Sequence, residues 1–81
     1  MRNIRLLDKR NWDFILYDVD GKKIFSVVFF GSLIDYSRNF KLESEIILNH
    51  EELISLAEKI RNNYNDYKDF EVPLSTTKES D

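Results

Sequence analysis

Apolar residues alternate with other positions through two neighbouring runs, Trp12–Val19 and Lys22–Phe30, and Asp20-Gly21 lies between them. A period of two sorts side chains onto opposite faces of a strand, and an Asp-Gly pair supplies the positive φ values that a two-residue hairpin loop needs. With those two residues as the loop, Trp12 faces Phe29, Phe14 faces Val27, Leu16 faces Phe25 and Asp18 faces Lys23. One face of the hairpin is then apolar and closes on a charge pair.

Gly31-Ser32 can make the next corner, with glycine first as a type II′ turn requires. That register opposes Phe29 to Ile34 and Val27 to Tyr36, and it brings Phe40 and Leu42 onto the same face. Arg38 falls there too, opposite Phe25, with its stem packed and its head solvated at the sheet edge. Upstream, Ile4 and Leu6 reach this face if the turn at Asp8–Asn11 has an odd number of loop residues, and the odd loop is the expectation.

Over residues 49–64 the period changes to about 3.6, with Leu53, Leu56, Ala57, Ile60 and Tyr64 along one side of a helix. Asn49 is placed to cap it, and Glu52 three positions on completes a capping box. The helix is expected to stop near Asn62-Asn63 or to fray toward Tyr67, and Pro73 ends any later helix. These elements predict an α+β domain at 1–74, a four-stranded antiparallel β-meander with one C-terminal amphipathic helix packed on one face, followed by a flexible polar tail at 75–81.

Composition agrees with one well-filled core. The 81 residues are 42% hydrophobic and 14% aromatic with only two glycines and one proline, which is not the makeup of a disordered chain. Without cysteine, disulfides and thiolate metal sites are excluded. No apolar run has the length of a signal peptide or a membrane span, so a cytoplasmic location is expected. Charge is uneven: residues 1–10 carry Arg2, Arg5, Lys9 and Arg10 against Asp8, while residues 43–81 carry ten acids against four bases. So short a basic segment argues against nucleic acid as the partner.

Candidate chemistry is sparse. His50, the only histidine, falls in the first helical turn with no nucleophile assigned to it, and reads as a surface residue. Asp18-Val19-Asp20-Gly21 has the middle of a calcium loop, but the ends of that frame fall on Leu16 and Val27, where carboxylates are needed. Asp18 is better explained as the partner of Lys23. The pairs Glu43/Glu45 and Glu51/Glu52 read as solvated or helix-starting acids. No catalytic residue, metal site or cofactor is expected.

The sheet face away from the helix is more informative. It presents Ile15, Tyr17, Val19, Ile24 and Val28, with Phe30 and Leu33 as further candidates, among Arg5, Asp13, Asp35, Ser37 and Asn39. That mixture has the composition of a protein contact, and Ile15, Tyr17, Ile24, Val28 and Asp35 are its expected partner-binding residues. The alternative is that β-propensity alone put valine and isoleucine there, or that the helix tail and residues 70–74 fold back over this face.

The runs W-D-F-I-L-Y-D-V-D-G-K at 12–22, S-V-V-F-F-G-S at 26–32 and L-A-E-K-I-R-N-N at 56–63 resemble small bacterial immunity proteins of polymorphic toxin systems. The resemblance implies a cytoplasmic inhibitor that binds and neutralises a toxin protein. The alternative is a structural homodimer built on the exposed sheet face.

Overall fold

The computed structural model describes residues 3–43 and 45–77, Ser75 by its backbone only. Its strands are β1 (Ile4–Arg10), β2 (Phe14–Val19), β3 (Lys22–Phe29), β4 (Tyr36–Leu42) and β5 (Glu71–Val72). The helices are α1 (His50–Asn62) and the single turn α2 (Tyr64–Tyr67), with 3-10 turns at Lys68–Phe70 and Leu74–Thr77. All five strands form one antiparallel sheet in sequence order. The fifth, which pairs Asn39 with Val72 and Phe40 with Glu71, is an addition to the expected four.

The β2–β3 hairpin has the register that Asp-Gly dictates, with Phe14 opposite Val27 and Leu16 opposite Phe25. Both loop residues have positive φ, 53° at Asp20 and 85° at Gly21, as a type I′ turn demands. Asp18 Oδ1 accepts from the Gly21 amide at 2.9 Å and fixes the corner. Trp12 does not continue this ladder, because the chain leaves β2 at Phe14 and turns through residues 11–13. Its indole stands out in solvent instead of facing Phe29.

The β3–β4 connection also differs from the expectation. It spans residues 30–35, so Phe29 faces Tyr36, Val27 faces Arg38 and Phe25 faces Phe40. Gly31 is drawn so close to Ile34 that a Cβ there would overlap the Ile34 carbonyl oxygen. The loop therefore folds on itself instead of reversing at Gly31-Ser32, and Ile34 leaves the apolar face. Because the register moves by two residues, every β4 side chain keeps its expected face.

The first turn does have an odd loop, residues 11–13, yet Ile4 and Leu6 lie on the face away from α1. A bulge between Leu6 and Asp8 inserts Leu7, and one extra residue reverses the facing of everything before it. Ile4 is thus opposite Val19 and Leu6 opposite Tyr17, while Asp8 and Arg10 share the helix-side rows of Leu16 and Phe14.

Phe14, Leu16, Phe25, Val27, Phe29 and Phe40 pack against Leu53, Ala57 and Ile60 of α1, with Leu56 and Tyr64 closing the margin. Each fully buried large side chain contributes roughly 1.5–3 kcal/mol. The helix begins with the expected capping box: the Glu52 amide donates to Asn49 Oδ1 at 2.8 Å, and the Asn49 amide donates to Glu52 Oε1 at 3.0 Å. It ends at Asn62 and resumes for one turn to Tyr67.

The opposite sheet face is partly closed by the turn at Leu74–Thr77, which contacts β2 and β4. Asn39, buried on that face, donates from Nδ2 to Thr77 Oγ1 at 3.0 Å. Of the polar tail expected at 75–81, residues 75–77 belong to this turn and 78–81 lie outside the described residues.

Candidate interaction surface

In a meander the first and third corners fall at the same end of the sheet, so the turn at residues 11–13 and the loop at residues 30–35 form one rim. The turn is held from below. Asp13 is buried, and its Oδ1 accepts a hydrogen bond from Arg61 of α1. Arg61 Nη2 also donates to the Asp13 carbonyl at 2.9 Å, and its Nε donates to the Val28 carbonyl at 2.6 Å. Arg10 reaches Asp13 Oδ2 at 3.1 Å, and the Val28 amide donates to the Asp13 carbonyl at 2.9 Å.

The turn is also closed by its own backbone, the Asp13 amide donating to the Arg10 carbonyl at 3.0 Å, and one residue inside it has an unusual conformation. Trp12 has φ 63°, where a bulky side chain costs roughly 1–2 kcal/mol. The indole is nevertheless 78% exposed, so its own burial does not offset that strain. At the same end of the sheet, Phe30 is 63% exposed, Leu33 95%, Ile34 71% and Tyr36 45%. The Arg61 guanidinium lies 5.2 Å from the centre of the Phe30 ring, and Tyr36 stacks on the core Phe29 with centroids 5.8 Å apart. The rim thus exposes large apolar side chains, tryptophan, phenylalanine and tyrosine among them, and Tyr36 ties it to the core.

No family model matches the chain, and no curated protein or solved structure matches it.

The five expected contact residues separate. Asp35 lies exposed within the rim, beside Phe30 and Leu33. Ile15, Tyr17 and Val28 are half-buried on the sheet face away from α1, and Ile24 is closed off from solvent at 1% exposure. Ile24 therefore has no surface to offer in the folded monomer. The strand pattern placed three rim members on the helix-facing side: Tyr36 keeps that side, stacked on Phe29 at its margin, whereas Trp12 and Ile34 stand out in solvent and had one sequence signal, large apolar residues close to turn-forming Asn11 and Gly31-Ser32.

Two other polar clusters are structural in geometry. Arg38 donates to Glu71 Oε2 at 2.9 Å, and the Tyr64 hydroxyl donates to Glu71 Oε1, joining β4, α2 and β5. The guanidinium lies 4.7 Å from the Tyr64 ring centre and 5.3 Å from that of Tyr36, so it is clasped and not freely solvated. The hydrogen bond to Glu71 raises the Tyr64 pKa above its usual 10.0 and also raises that of Arg38.

At the other side of the helix, His50 Nδ1 lies 3.1 Å from both carboxylate oxygens of Asp8, and its ring packs 5.7 Å from that of Phe14. This pair ties the start of α1 to β1. Asp18 remains opposite Lys23, but its Oδ2 accepts from Arg5 at 2.6 Å while the Lys23 ammonium donates to the Ile46 carbonyl. The Arg5 hydrogen bond lowers the Asp18 pKa below its ordinary value. Among the described residues, no group of three or more His, Asp or Glu side chains is placed to hold a metal ion, and no helix is long and apolar enough to cross a membrane.

Proposed function

We propose that this chain is a protein-binding domain whose docking surface is the rim built from residues 11–13 and 30–36. The observation that carries the reading is Trp12: a strained backbone, locked by a desolvated Asp13–Arg61 pair, presents the only tryptophan to solvent. Tryptophan and tyrosine are favoured anchors of protein contacts, and a pre-set loop loses little entropy when it docks.

The form of this function implied by the resemblance to immunity proteins is inhibition of a toxin. The rim would seat against the toxin and block it sterically. Acidic groups such as Glu43, Glu45, Glu58 and Asp66 would accelerate encounter with a basic partner. The test compares wild type with Trp12→Ala and Leu33→Ser in affinity capture from the native host, followed by an activity assay of the captured protein. The reading expects a partner retained by wild type, lost by both variants and inhibited by the complex. Equal capture by all three proteins refutes the rim.

A further inference from the structure

We infer that the rim pairs with the rim of a second copy of this chain, end to end, about a twofold axis normal to the sheet. This rests on the rim being a protein-docking surface, and it names an occupant. The first argument is area. At the exposures given above, Trp12, Phe30, Leu33, Ile34 and Tyr36 present about 600–700 Å² per copy, close to the roughly 800 Å² per side of a standard protein interface.

The second argument is charge complementarity, and it selects the axis. Arg10 stands at the β1–β2 corner, where its one ion pair, with Asp13, leaves its side chain 52% exposed. Asp35 stands at the β3–β4 corner and makes no ion pair among the described residues. An axis lying in the sheet plane, perpendicular to the strands, would set Arg10 against Arg10 and Asp35 against Asp35. An axis normal to the sheet instead sets the turn of each copy against the loop of the other. Arg10 then meets Asp35, and Trp12 meets Leu33 and Ile34, twice over. Such an isologous contact is closed, so association stops at two. It also holds the rim out of water, so that a different protein has to compete with the second copy.

The experiment is sedimentation equilibrium of the full chain from micromolar to millimolar concentration, with Trp12 emission followed in parallel as the single indole reporter. The expected result is a monomer–dimer equilibrium accompanied by a blue shift of emission on association. Leu33→Ser removes a side chain outside the core, and Asp35→Lys replaces an exposed loop charge. Each should weaken the dimer at least tenfold without altering the monomer's stability. A monomer throughout the range overturns the inference, as does a dimer indifferent to both variants. Either result leaves the capture experiment free to decide whether the rim docks another protein, while a wild type that captures no foreign partner leaves the dimer to be decided by sedimentation alone.

Discussion

Asp13 and Arg61, 48 residues apart in sequence, form the ion pair that fastens the first turn of the sheet to the last turn of the helix. Their side chains are only 12% and 15% exposed. At that depth the pair is worth less as a net source of stability than as a constraint, because its desolvation opposes its attraction. Removing one partner is another matter.

Arg61→Met is expected to destabilise the domain by about 3 kcal/mol, because Asp13 keeps its burial and retains only Arg10. Urea unfolding measures this. The double variant Asp13→Asn/Arg61→Met should recover part of the loss, since no unpaired charge remains buried.

Alkaline pH should weaken the wild type through Tyr64. The raised pKa means that this hydroxyl's contribution is complete below the unfolded value of 10.0 and is lost as pH climbs through the higher native value. Tyr64→Phe should be less stable at neutral pH and show a smaller alkaline loss. Thermal unfolding monitored by circular dichroism across the alkaline range compares the two, and identical pH slopes would contradict the assignment.

Acid acts at the other end of the sheet. The pKa of Asp18 is depressed first by its hydrogen bond from Arg5, so this contribution is present above the unfolded value of 3.8 and vanishes as pH falls through the lower native one. Arg5→Gln should flatten that part of the acid unfolding profile. NMR titration of the Asp18 carboxyl should show its midpoint moving up toward 3.8 in the variant.

The two glycines should fail for different reasons. Gly21→Ala meets no atom within 4 Å but must adopt φ +85°, a cost of about 1 kcal/mol that leaves the rim unchanged. Gly31→Ala collides with the Ile34 backbone, so the loop at 30–35 must reopen. Amide shifts around Leu33 and Ile34 should move widely in the second variant and stay in place in the first.

Sequence alone carried the parts of this fold that are encoded over a few residues. Asp20-Gly21 determined a hairpin and its register, Asn49 and Glu52 determined the start of a helix, and the two periods determined which sides of β2, β3 and α1 meet. The even displacement of β4 did no harm to that partition, because a strand repeats every two residues. Tertiary structure decided what has no local period or turn signature. The Leu7 bulge reverses Ile4 and Leu6 by one inserted residue that no glycine marks, and β5 is two residues long, too short to show alternation. Above all, Trp12 looks like a core residue by the alternation of its strand, but it sits in a turn closed by the Asp13 amide on the Arg10 carbonyl, with Asp13 held inward by Arg61 of a distant helix, and its indole is at the surface.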